Sequence, residues 1–224
     1  MSELIGILIL ILVIFFYHQT NHIEVNKVEV RLDNLPHEFN DFTIVQMTDL
    51  HGKCYGPRQS RLLRLMDRHD FDILVLTGDM FSDTNRRTSL LTLRHVIEYV
   101  HHLGKSVYFV AGNHDLDGAY DYIARTLREW GVHVLDNTSV AIRRKNAHIN
   151  IIGIQDALFG LADLDAALKN VTHGIKILLA HTVFARRDKS LFHKIKQKKI
   201  DLVLSGHTHG LQINLLPIYM TGEG

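Results

Sequence analysis

The sequence predicts an α/β fold on two observations. Apolar runs of strand length alternate with stretches of helical periodicity, and the runs close on the same few polar residues, Asp, Asn, His and Gly. Alternation at this spacing argues for largely parallel pairing in the first half. With 224 residues, 46% of them hydrophobic, the chain can bury one substantial core, and one domain after a short N-terminal segment is the simplest organisation.

Residues 4–17 (LIGILILILVIFFY) carry no charge, no proline and no polar face, which predicts a membrane segment. The run is shorter than the ~18–20 apolar residues of a comfortable span, and the flanking residues would extend it at the interface. Residues 1–20 are therefore expected to form a single-pass anchor in the cell membrane, with residues 21–224 as the domain. A secretory signal is the rival reading. Glu3 in place of Lys or Arg before the run, and no A-x-A-like site after it, argue against cleavage. Lys27 and Arg31 follow the run and place the domain on the cytoplasmic side.

Residues 23–32 (IEVNKVEVRL) alternate almost in period two and read as a strand. Residues 42–47 (FTIVQM) read as a second strand, ending in Thr48-Asp49-Leu50-His51, and Pro57 then opens a helix with Leu62, Leu63, Leu65 and Met66 on its apolar face. Residues 72–76 (DILVL) form a strand ending in Thr77-Gly78-Asp79. A helix follows, with Leu90, Leu93, Val96, Ile97, Val100 and Leu103 inward and Gly104 as its stop. The strand over 107–111 (VYFVA) delivers Gly112-Asn113-His114-Asp115, and Tyr120, Ile123, Leu127 and Trp130 mark the next helix, stopped by Gly131. Short runs at 132–135, 140–143 and 149–154, linked by polar pairs, suit antiparallel hairpins. A helix over 161–171, a strand over 175–180 ending at His181, a lysine-rich helix over 188–199 and a strand over 201–204 ending in Ser205-Gly206-His207-Thr208-His209-Gly210 complete the chain.

A formal charge of +1 gives no polyanion-binding composition, so nucleic acid is not an expected partner. The single Cys54 excludes an intrachain disulfide and any multi-cysteine zinc site. A metal site must then use nitrogen and oxygen, and 16 histidines supply the commonest such ligand, although most are ordinary surface residues. In an open α/β sheet, residues beyond the carboxyl ends of neighbouring strands converge on one crevice. The five clusters can meet there, and their carboxylate, amide and imidazole groups exceed one metal's needs and suit two sites sharing a carboxylate.

TDLH at 48–51, GD at 78–79, GNHD at 112–115, the His that ends LLAH at 178–181 and GHTHG at 206–210, in this order and spacing, resemble the calcineurin-like metallophosphoesterase superfamily. Within it the chain is similar to the YkuE-type branch, which includes enzymes that cleave the pyrophosphate of UDP-2,3-diacylglucosamine. The resemblance implies a four-layer α/β/β/α sandwich behind the N-terminal membrane helix, and two divalent ions: manganese, iron, zinc or a mixture. It implies one metal held by Asp49, His51, Asp79 and His209, and a second held by Asp79, Asn113, His181 and His207. Between them a hydroxide would attack phosphorus in line. His114 would protonate the leaving oxygen, with Asp115 holding its ring.

The implied activity is hydrolysis of a phosphodiester or pyrophosphate bond, with a lipid-linked nucleotide-sugar substrate as the specialisation. A nuclease and an inactive membrane-tethered scaffold are the alternatives. Family members usually continue well beyond the last motif and often carry a second glycine there, whereas here Leu211 follows Gly210 and only residues 211–224 remain. The closing part of the second sheet is therefore expected to be truncated or reduced. The loops at 81–87 and 156–161 are the expected determinants of substrate choice, and Leu158, Phe159 and Leu161 could rim the site or pack in the core.

Overall fold

The computed structural model describes residues 2–81, 85–116, 118–183 and 190–208, the side chains of 2–4 and 18–20 excepted. A helix α1 (Ser2–Asn21) precedes an extended stretch and the first strand, β1 (Ile44–Met47). A 3-10 turn (Pro57–Gln59) leads into α2 (Ser60–Met66), and β2 (Ile73–Thr77), α3 (Arg86–His102), β3 (Ser106–Val110), α4 (Tyr120–Glu129) and β4 (His133–Val134) follow. The second half holds β5 (Thr138–Arg144), β6 (Ala147–Gly153), a 3-10 turn (Ala157–Phe159), α5 (Leu164–Leu168), β7 (Ile175–Ala180), α6 (Ser190–Gln197) and β8 (Leu202–Ser205).

The strands form two four-stranded sheets, ordered β1-β2-β3-β4 and β5-β6-β7-β8. Every pair in the first sheet is parallel. In the second, β5 and β6 form an antiparallel hairpin and β6, β7 and β8 run parallel. Period-two alternation of side chains gives each central strand two buried faces. Leu74, Leu76, Val107 and Phe109 pack with Leu93, Ile97, Ile123 and Leu127 of α3 and α4. Their neighbours Ile73, Val75, Tyr108 and Val110 meet Ile149, Ile151, Ile175 and Ile177 across the gap between the sheets. Ile152, Leu178 and Ala180 face α5 and α6 through Leu164, Ala167 and Ile195. Three cores thus separate four layers: helices, sheet, sheet, helices.

Three sequence expectations need correction. Residues 23–32 are not a strand: among the described residues no strand pairs with them, and Val25, Val28 and Val30 are exposed. The run at 132–135 does not enter a hairpin, because β4 pairs parallel with β3. The helix expected over 161–171 is reduced to α5, with Leu161 exposed. The membrane span is not shown either. Residues 2–21 are helical, but among the described residues no helix is long and apolar enough to cross a membrane. The expectation for the closing part of the second sheet, at 209–224, lies outside the described residues.

Candidate functional site

The carboxyl ends of β1, β2, β3, β7 and β8 meet at one edge of the molecule. Beyond β1 the ladder to β2 continues through the loop: Asp49 N donates to Gly78 O (3.0 Å), His51 N to Asp79 O (2.9 Å) and Gly52 N to Met80 O (2.9 Å). These bonds hold non-glycine residues in the left-handed region, with φ of 53° at Asp49, 47° at His51 and 54° at Asp79; His207 follows at 73°. Such backbone costs about 1–3 kcal/mol per residue and persists where its surroundings over-determine it. Four of the predicted metal ligands sit in it.

Close approach of strand ends explains two glycines. A Cβ on Gly78, itself at φ 91°, would lie 2.5 Å from His181 Nδ1, and one on Gly112 would lie 2.2 Å from Asp79 Oδ1 and 2.5 Å from Asp79 N. Only glycine lets the two strand ends and the His181 ring crowd the Asp79 carboxylate.

Asp79, almost wholly buried, is the hub. Its Oδ1 accepts from His114 N (2.9 Å), and its Oδ2 stands 3.2 Å from His181 Nε2 and 3.8 Å from His51 Nε2. His181 has no exposed surface. Its Nδ1 lies 2.9 Å from Thr77 O, which fixes the ring and turns Nε2 toward Asp79, where it lacks the alignment of a hydrogen bond. His207 N donates to Asp49 Oδ2 (3.2 Å), and its Nδ1 lies 3.0 Å from Asn113 Oδ1. The His51 and His114 rings meet edge to face with centroids 5.1 Å apart.

Charge follows from this crowding. Burial works against ionisation of Asp79, but the His181 ring and the His114 amide outweigh it and hold the carboxyl below its ordinary value. Burial would also lower His181; the Asp79 carboxylate more than offsets it and raises the imidazole to about 9.

Two groups of donors, Asp49-His51-Asp79 and Asp79-His181-His207, each bring their ligand atoms within 4.8 Å of one another, and Asp79 belongs to both. All are oxygen and nitrogen donors of the kind that suit manganese, iron or zinc. A buried imidazole nitrogen without a hydrogen-bond partner, on a ring fixed from behind by a carbonyl, is the arrangement a metal ligand needs. The residues present therefore fit a pair of divalent cations. Asn113 lies beside the second group through His207, and His209 lies outside the described residues.

Asp115 departs from its expected role. Its carboxylate is turned away from solvent onto backbone amides: Oδ2 accepts from Asp79 N (2.7 Å) and Gly112 N (2.9 Å), and Oδ1 from Phe81 N (3.1 Å). It clamps the ends of β2 and β3 rather than orienting the His114 ring. Burial dominates these donors and pushes its carboxyl up to about 7.

Sequence reasoning did not assign three contributors. Thr48 Oγ1 donates to Asp49 Oδ2 (2.7 Å). Gln46 Nε2 reaches Thr77 Oγ1 (2.8 Å) and Ser205 O (2.9 Å), which ties the two sheets together beneath the site. Arg86 Nη2 lies 3.4 Å from His114 O. A glutamine inside the apolar run 42–47 was the visible signal for Gln46.

Residues 42–211 match the family described as calcineurin-like phosphoesterase. The chain is 29% identical to the uncharacterized metallophosphoesterase YkoQ of Bacillus subtilis, covering 94% of this chain and 78% of that protein. It is 27% identical to the uncharacterized metallophosphoesterase YkuE of the same organism, covering 91% and 70%. It is 28% identical to a Danio rerio protein named transmembrane protein with metallophosphoesterase domain, covering 87% of this chain and 46% of that one.

Proposed function

This chain belongs to the calcineurin-like phosphoesterase family, and from that premise we propose that it hydrolyses a phosphodiester or pyrophosphate bond at a two-metal centre built around Asp79. The observation that carries the reading is the pair of donor groups that share this one buried carboxylate. Asp49 and His51 would hold one cation with Asp79, joined by His209, and Asn113, His181 and His207 would hold the other. When bound, the two cations would supply Lewis acidity that neutralises phosphoryl oxygens and acidifies a water molecule.

The chain's own residues do the rest. Asp79 is kept ionised by its neighbours despite burial, so a negative charge stands ready between the two groups. The Thr77 carbonyl fixes the His181 ring, Asp49 holds the His207 backbone amide, and Asn113 Oδ1 stands beside the His207 ring, so both rings are oriented before cations arrive. His114 stands against His51 at the mouth of the site and is the residue we assign to giving a proton to the leaving oxygen. Asp115 supports that geometry from below through the backbone.

The finer part of the same reading is a membrane-proximal, lipid-linked substrate. Exposed apolar side chains around α1, from Ile5 to Tyr17, support its membrane-proximal part, as does the printed name of the Danio rerio relative. Flotation with phospholipid vesicles tests this part: the full chain is expected to float, and a chain that stays at the bottom of the gradient removes the membrane from the account.

Hydrolysis of bis(p-nitrophenyl) phosphate with Mn²⁺ tests the main reading. Turnover should require the metal and fall at least a hundredfold in Asp79→Asn, which keeps the shape but loses the shared charge. Equal turnover in the two proteins would refute the assignment.

A further inference from the structure

The carboxyl end of α1 abuts α2. Arg61 Nη2 donates to the carbonyl of Asn21, the last residue of α1 (3.2 Å), and Ile23 packs against the core that holds Leu62 and Met66 of α2. Up to that junction α1 is apolar on every side: Ile5 and each residue from Ile7 to Tyr17 keep 45–68% of their surface exposed.

α2 turns Leu62 and Met66 inward, and helical periodicity then points Arg61 and Arg64 away from the core. Arg58 precedes the helix and Arg68 follows it, and all four arginines are exposed. The acids at the end of α2 are engaged elsewhere: Asp67 accepts from Tyr99 Oη (3.0 Å), and Asp70 pairs with Lys105 (2.7 Å). Among the described residues no ion pair reaches Arg58, Arg61, Arg64 or Arg68. The result is an uncompensated basic row that begins where the apolar helix ends.

We propose that this row binds the headgroups of anionic phospholipids, so that α2 lies against the bilayer that covers α1. Guanidinium groups match phosphate oxygens in charge and geometry, and basic residues beside a membrane segment are drawn to an anionic leaflet. The spacing fits. Tyr17, the last residue of the apolar run, stands four residues before Asn21, or ~6 Å of helix, about the depth of a headgroup layer. Arg61 at the Asn21 carbonyl therefore sits at headgroup level when the apolar run is in lipid. A soluble polyanion would meet the arginines and leave α1 in water; a bilayer satisfies both. The docked face also adjoins the reaction centre, because Arg61 N donates to Tyr55 O (2.9 Å) and Gln59 Nε2 to Lys53 O (2.8 Å), which stitches α2 to the loop that leaves His51.

The inference rests on the membrane-proximal part of the proposed function and adds the lipid class and the face of the domain that meets it. Vesicle flotation over a range of lipid concentrations tests it, with the full chain and two kinds of vesicle: phosphatidylcholine alone, and phosphatidylcholine with about one-third phosphatidylglycerol. The wild type is expected to bind the anionic vesicles at least about tenfold more tightly than the neutral ones. The triple variant Arg61→Gln/Arg64→Gln/Arg68→Gln should lose most of that gain and bind neutral vesicles as the wild type does. The corresponding triple lysine variant, which keeps the charges, should retain it, and hydrolysis of bis(p-nitrophenyl) phosphate without vesicles should be the same in all three proteins. Equal binding of the wild type to both vesicles, or a gain that survives in the glutamine variant, overturns the inference while leaving the membrane reading in place. A wild type that floats with neither vesicle overturns both.

Discussion

At Asp115 one carboxylate takes three backbone amides from the ends of two strands. Removing it leaves three buried donors without an acceptor, at about 1 kcal/mol or more each. Asp115→Ala is therefore expected to lose about 3–5 kcal/mol in urea unfolding; a loss below about 1 kcal/mol would show that the amides find other partners. Sequence gave the residue but not its work. Adjacency to His114 suggests a side-chain pair, whereas the turn through Gly112 folds the carboxylate back onto Gly112 N and Asp79 N. The candidate donors that meet at the site were legible, because Asp49, Asp79, His181 and His207 each close an apolar run, and a strand's carboxyl end is where a parallel sheet collects its reactive groups. The left-handed backbone of Asp49, His51 and Asp79 was not legible, since it comes from the ladder between neighbouring loops.

Among the elements, strands buried on both faces were the easiest to read: β2, β3 and β7 appear as unbroken apolar runs. Residues 23–32 mislead for the opposite reason. Alternation becomes a half-buried strand only where a neighbouring strand pairs with it, and no described strand pairs with these residues. The run 161–171 looked helical from Leu161, but Asn137 captures the Leu161 carbonyl and the Asp163 amide, so the helix starts only after the Asp163 cap. Asn137→Ala removes these bonds and places alanine at a φ of 52°. It should cost about 2–4 kcal/mol by urea unfolding and speed amide exchange over 155–163. Unchanged exchange there would mean that the loop holds itself.

For the whole molecule, two sheets packed face to face bring strand ends from both onto one edge, and Gln46 links the two sheets beneath it. That architecture is what turns five clusters spread from Asp49 to His207 into one site. The family match spans residues 42–211, the stretch that holds both donor groups, and the shared Asp79 carboxylate is the point at which those groups meet. Metal stoichiometry tests that point most directly. After dialysis against a chelator and reloading, the full chain should bind two Mn²⁺ per molecule by elemental analysis, and Asp79→Asn should retain one or none. Two ions retained by Asp79→Asn, or a single ion in an active wild type, would contradict a two-metal centre organised on Asp79.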